Sequence, residues 1–235
     1  MYDAIVFDND GILTEPTDRD VLREAIRDAF AAAGMSDPPE SHVEALHDTA
    51  AADVRRICAA HGVDPEPFWR HRDDEAARRQ TALIRRGEKR LYDDVGPILA
   101  SEADVGIVSN NQHETVRCIV EQFDLAPPVA TFYGREHSVA GLERKKPNPH
   151  YLRRALADLD AERALYVGDS EKDVVAARRA GVDSAFVRRS HRADLDLEAE
   201  PTYEVADLRE LRDLLEAEDL ASFPERSELR SDRQI

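Results

Sequence analysis

Apolar residues recur along the chain in two rhythms. Short, nearly unbroken runs, such as Ala4-Ile5-Val6-Phe7, Val105-Gly106-Ile107-Val108 and Ala164-Leu165-Tyr166-Val167, have the length and residue types of buried strands. Thr131-Phe132-Tyr133, Ala185-Phe186-Val187 and Tyr203-Glu204-Val205 add three shorter ones. The other rhythm is helical: Val21, Leu22, Ile26, Ala29, Phe30 and Ala33 repeat on one face before Gly34 stops the segment. From Asp18 to about Gly87 helix follows helix. The Pro38-Pro39 break leads to a second helix over 43–50, then a third over 51–61 ended by Gly62 and a fourth over 67–86. Beyond it strands alternate with helices over 95–102, 114–123, 150–159, 173–180 and 207–218.

That alternation predicts an α/β fold, a Rossmann-like parallel sheet with helices on both faces. The helical block after the first strand is too long for a simple crossover and reads as an inserted all-helical cap domain. The expected division is a core from 1–15 and 91–218, a cap from 16–90, and a mobile, charged tail from 219–235.

Composition narrows the partners. A net charge of -17 over 235 residues argues against nucleic acid. No apolar stretch is long enough to span a membrane, and the start of the chain lacks a signal region, so a soluble, cytoplasmic protein is expected. Cys58 and Cys118 have no neighbouring cysteine and read as ordinary buried thiols in a reducing compartment. Only Lys89, Lys145, Lys146 and Lys172 are lysines among 32 basic residues. An acidic, lysine-poor surface suggests a salt-adapted, halophilic protein.

Candidate chemistry gathers where strands end. Asp8 and Asp10 follow the first strand, with Gly11 allowing the chain to turn, and two acids this close require a cation nearby. The second strand runs into Ser109-Asn110-Asn111, where a hydroxyl and a free amide at a strand-to-helix turn would cradle phosphate oxygens. Lys145-Lys146-Pro147-Asn148-Pro149 holds a lysine near the same edge, and Gly168-Asp169-Ser170-Glu171-Lys172-Asp173 adds two more carboxylates. Each piece alone has a structural explanation, since Asp8 and Asp10 would suit a turn and Ser109, Asp169 and Ser170 would serve as helix caps. Their agreement favours a site.

These segments resemble the haloacid dehalogenase-like hydrolase superfamily, in the branch whose helical cap follows the first motif. Asp8-Asn9-Asp10-Gly11-Ile12 is similar to its first motif, with Ile12 a mild departure. Ser109 matches the second, Lys146 is picked over Lys145 by Lys-Pro-x-Pro, and Gly168 to Asp173 matches Gly-Asp-Ser-x-x-Asp. The resemblance implies a magnesium-dependent phosphatase acting on a small phosphorylated metabolite through an aspartyl-phosphate. It makes Asp8 the nucleophile and Asp10 the general acid and base, with a raised pKa expected for Asp10. Magnesium (Mg2+) would be held by Asp8, the Asp10 carbonyl and Asp169. Ser109, the Asn110 amide and Lys146 would bind phosphate, and Asp173, Gly168 and Ser170 would support the site. Asn111 and His113 are possible substrate contacts; His47, Arg55, Arg85 and Arg86 are cap candidates, each more readily explained as an exposed helix residue. Hinges are expected over 14–18 and 90–94.

Rival readings are a haloacid dehalogenase, which needs neither magnesium nor a second aspartate, and a sugar phosphomutase, which keeps both aspartates. A receiver domain is half this length and lacks the insertion, and a non-catalytic binder would be expected to have lost Asp8 or Asp10.

Overall fold

A computed structural model describes residues 2–100 and 102–222. In chain order the elements are β1 (Ala4–Phe7), α1 (Arg19–Ala32), α2 (Glu40–Ala45), α3 (Ala51–Ala60), α4 (Pro65–Arg85), α5 (Val95–Leu99) and β2 (Asp104–Gln112). Then come α6 (His113–Gln122), β3 (Val129–Arg135), α7 (Val139–Arg144), α8 (His150–Asp158), β4 (Ala164–Gly168), α9 (Glu171–Ala180), β5 (Asp183–Val187), β6 (Tyr203–Val205) and α10 (Leu208–Ser222).

The fold is α/β, as the sequence predicts. Six parallel strands form one sheet in the order β3-β2-β1-β4-β5-β6. β1 is flanked on both sides, with Ala4 opposite Asp104 and Ala164 and Phe7 opposite Ile107 and Val167. All four of its residues are buried, which is why it reads as an unbroken apolar run. Alternate side chains serve opposite faces. Ile5 and Phe7 join Val116 and Ile119 of α6 and Leu208 and Leu211 of α10; Val6 faces Tyr151, Leu152 and Ala155 of α8 and Ala177 of α9. Strand order reverses between β1 and β4, so a crevice opens at their carboxyl ends.

Helices α1 to α4 pack around an apolar cluster of their own, including Ile26, Phe30, Val54, Ile57, Phe68 and Trp69, which Val139 and Leu142 of α7 also join. Cys58 and Cys118 are buried and free. No helix among the described residues is long and apolar enough to cross a membrane.

Three boundaries differ from expectation in ways that matter for the site. α2 starts at Glu40, behind Pro39 at its N-cap, and ends at Ala45, leaving His47, Asp48 and Thr49 outside the helix. The α7 helix was not expected; Ser138 caps it by accepting from the Gly141 amide at 3.0 Å. β2 continues past its apolar run to Gln112, with a register shift between Val108 and Gln112, so Ser109 to Asn111 lie in extended backbone rather than in a turn. α10 runs on to Ser222, and the rest of the expected tail, 223–235, lies outside the described residues.

Candidate active site

Burial makes the end of β1 an unfavourable place for charge, and the structure supplies compensation residue by residue. The Asp8 carboxylate lies 2.9 Å from Lys146 Nζ, which also reaches Asp173 at 2.6 Å and the Tyr166 hydroxyl at 2.7 Å. Lys146 is aimed by Asn110, whose side chain accepts from the Lys146 amide at 2.8 Å and donates to its carbonyl at 3.2 Å. The Asn110 side chain is thus occupied as a clamp on Lys146. Burial is the strongest influence on Asp8, and with the Asp173 and Asp169 carboxylates it pushes the pKa up to about 7 against the pull of Lys146. Lys146 itself is held above its usual range, because its two carboxylates outweigh burial.

Asp10 is the opposite case. Its carboxylate accepts from Lys89 Nζ at 2.6 Å, Asn9 Nδ2 at 2.7 Å, Thr17 Oγ1 at 2.7 Å and Asn111 Nδ2 at 3.0 Å. Burial would raise its pKa, but Lys89 above all, then Thr17 and Asn111, hold it below the ordinary carboxylate value. The raised pKa expected for Asp10 is therefore corrected. Each of the two acids also has a lysine of its own, Lys146 for Asp8 and Lys89 for Asp10.

The end of β4 meets the same crevice. Among the described residues, Asp8, Asp169 and Asp173 form the group of acids whose oxygens lie within 4.8 Å of one another. Asp169 Oδ2 lies 2.7 Å from His191 Nε2 and 3.0 Å from Arg192 Nε. Asp173 caps α9, accepting from the Ser170 amide at 3.0 Å and hydroxyl at 2.5 Å. Gly168 is obligatory here, because a Cβ on it would overlap the Asp173 side chain. Gly11, at φ 84°, brings its backbone against the Asp169 carboxylate in the same way. Arg189 fixes the loop after β1, forking onto Asp94 at 2.9 Å and donating to the Gly11 and Ile12 carbonyls.

A cavity of about 250 Å³ opens onto these groups, lined by Asp8, Asp10, Ser109, Asn110 and Asn111 on the sheet side and by Leu22, His47, Trp69 and Arg72 on the helical side. Ser109 is buried and its hydroxyl accepts from the Asn111 amide at 3.3 Å. Of the possible contacts, Asn111 and His47 line the cavity. His113 does not, its ring being stacked on Phe132. Arg55 pairs with Glu143, Arg86 with Glu88, and Arg85 is exposed; none of the three lines the cavity.

The helical wall is tied to the sheet by groups the sequence did not point to. Asp73 of α4, fully buried, takes both arms of the Arg135 guanidinium from β3, Arg72 Nη1 at 3.0 Å and Gln112 Nε2 at 3.0 Å. At the rim Asp48 pairs with Lys145 at 3.0 Å and with Lys172. All four lysines of the chain thus make carboxylate pairs in or beside this one cavity.

Residues 2–181 match the haloacid dehalogenase-like hydrolase family. The chain belongs to that family. Over 90 residues it is 34% identical to a phosphoglycolate phosphatase of Rhodospirillum rubrum, covering 37% of this chain and 36% of that protein. Over 111 residues it is 32% identical to the pyrophosphatase PpaX of Bacillus cereus, covering 46% and 50%. The match thus spans half or less of the length of these relatives. In structure the chain is similar to CbbY of Rhodobacter sphaeroides solved with phosphate, at TM-score 0.68, 24% identity and coverage of 90% and 96%. It is also similar to a 2-haloacid dehalogenase of Pseudomonas syringae, at TM-score 0.60, 21% identity and coverage of 92% and 99%. The haloacid dehalogenase-like fold therefore accommodates both kinds of protein, and the choice between their chemistries rests with the site.

Proposed function

We propose that this protein is a magnesium-dependent phosphatase of a small phosphorylated metabolite, working through phosphoryl transfer to Asp8. The observation that carries the reading is the Asp8 carboxylate held at 2.9 Å by Lys146 in a cavity that also takes in Ser109 and Asp10. A carboxylate oxygen of Asp8 attacks phosphorus, the ester P–O bond breaks and the alcohol leaves with a proton from Asp10. Water then attacks the aspartyl-phosphate, gives its proton to Asp10, and phosphate departs with Asp8 restored. Lys146 and Ser109 would steady the phosphoryl oxygens. With its depressed pKa, Asp10 as described is set up as the base of the second step. Its acid duty requires a looser hold by Lys89.

An all-oxygen acidic group suits a hard divalent cation, and Asp8, Asp169 and the Asp10 carbonyl would hold it, with Asp173 committed to Lys146. When bound, magnesium supplies positive charge for the phosphoryl oxygens. Residues 16–90 read as a cap over a core of 1–15 and 91–218. Supporting this, α1 to α4 carry their own apolar cluster, and Thr17 and Lys89 from the two ends of that segment converge on Asp10. A dehalogenase would have no need of Asp10 or of the elaborate hold upon it.

The test is phosphate release by the purified protein, with Mg2+ and with a chelator, from phosphoglycolate, sugar phosphates and nucleoside monophosphates, in low and molar salt. Mg2+-dependent release from at least one ester without a bisphosphate activator is expected, and a salt-adapted protein would respond best in molar salt. Release from none would sink the reading.

A further inference from the structure

The helical wall of the cavity holds polar groups with no partner. His47 Nε2, Trp69 Nε1 and Arg72 Nε are buried nitrogen atoms without a hydrogen-bond partner, and all three side chains line the cavity. Trp69 is 1% exposed and Arg72 4% exposed, so bulk water does not serve them. The indole and guanidinium N–H groups are donors only. A buried donor left unpaired is costly, and a cluster of them against a cavity marks where a ligand's acceptors belong.

The charge balance points the same way. Arg72 and Arg135 share the single Asp73 carboxylate, and both guanidiniums lie over the Trp69 ring, at 4.8 and 5.5 Å from its centre. At the rim, Lys145 and Lys172 share Asp48. Each group leaves one positive charge unbalanced in a chain of net charge -17. Burial depresses Arg72 further from its usual value, which an anion beside it would reverse.

We infer that Trp69, Arg72 and His47 form a subsite for a second anionic group of the substrate, a carboxylate or a further phosphate carried by the leaving alcohol. The inference rests on the phosphatase reading of the strand-end wall. It selects, among phosphate esters, those with a negative charge at both ends and of a size to fit about 250 Å³. An alkyl leaving group offers these groups no acceptor, and a neutral sugar offers hydroxyl oxygens but no charge to balance the guanidinium.

Three ligands separate the cases: 2-phosphoglycolate carries the carboxylate, ethylene glycol bisphosphate the second phosphate, and ethyl phosphate only a methyl group in that place. Calorimetry with the Asp8→Asn protein and Mg2+ reads binding without turnover. At least one of the two doubly anionic ligands should bind about tenfold or more tightly than ethyl phosphate. Adding Trp69→Phe, which removes the indole N–H and keeps a ring, should erase about tenfold of that preference and leave ethyl phosphate unchanged. His47→Gln serves the same purpose should Trp69→Phe not fold. Equal binding of all three ligands, or a variant that weakens all three alike, overturns the subsite. Failure of the parent protein to release phosphate from any ester would instead overturn the phosphatase reading, and the two results are read separately.

Discussion

The strand-end wall and the helical wall of the cavity are charged in opposite senses. At the strand ends the four carboxylates of Asp8, Asp10, Asp169 and Asp173 face three permanent cations, Lys146, Lys89 and Arg192, with the His191 ring beside Asp169. Around the helical wall Arg72 of α4 is joined by Arg135 of β3 and by Lys145 and Lys172 at the rim; these face only Asp73 and Asp48, and cations are in excess. One wall is suited to a bound cation and the other to an anion. The surplus at each wall is what a bound ligand of opposite charge would cancel.

The largest expected effect falls on the strand-end wall. Asp8→Asn should lower turnover by a factor on the order of 10⁴ or more while the protein stays folded. Its stability follows from sign. A carboxyl whose pKa rises from 3.8 to about 7 on folding contributes stability below pH 4 that is lost as pH climbs through 7. In chelator, the parent protein should therefore lose stability over that window through this group, and Asp8→Asn should abolish the loss. Melting temperatures at pH 5 and pH 8 check it, and a larger loss in the variant would contradict the assignment.

On the helical wall stability and chemistry should separate. Arg135→Met removes the main partner of a fully buried carboxylate, and such breaks cost about 3 to 5 kcal/mol. Urea unfolding should show a loss of that order, with kcat for ethyl phosphate changed far less than by Asp8→Asn. Equal damage to both would mean the two walls are not separate devices.

Lys89 joins the walls, and its effect should be intermediate. Lys89→Met removes an ion pair of 2.6 Å from Asp10, letting its pKa rise and weakening it as the base of the hydrolysis step; with that step limiting, kcat should fall about tenfold with KM nearly constant, as measured by steady-state kinetics. The smallest effect belongs to His47. Burial, then Arg19 and Arg72, keep it below its ordinary pKa. Its depressed pKa gives stability present above pH 6.5 and lost as pH falls below it. His47→Gln should flatten the stability profile there, and an unchanged slope would place His47's protonation elsewhere.

The same contrast explains what the sequence disclosed. Asp8, Asp10, Ser109 and Asp169 follow apolar runs directly, and the sheet gathers strand ends into one crevice, so local pattern was enough to bring them together. Lys146 came from its proline context. The helical wall was illegible because its buried stripe is interrupted by polar and charged residues. Trp69, Arg72, Asp73, Ala76, Ala77, Gln80 and Ile84 of α4 are buried at helical spacing, and three of them are polar or charged. Scanning for hydrophobic periodicity passes over such a stripe, although polar residues at those intervals between Trp69 and Ile84 were a usable signal. Lys89 and Arg135 had no local signal, since only the fold puts them opposite Asp10 and Asp73. The expected pKa of Asp10 erred for the same reason: burial was foreseeable, the lysine was not.

The gathering of every lysine in or beside one cavity has a practical corollary. Amine-directed reagents such as acetic anhydride or formaldehyde with borohydride would find their side-chain targets here and at no arginine. Lys172, with its side chain 37% exposed, should be modified before Lys145 at 15%, while Lys146 and Lys89 lie nearly out of reach. Mass spectrometry of the acylated chain would then act as an occupancy gauge, with bound anion shielding Lys145 from the label.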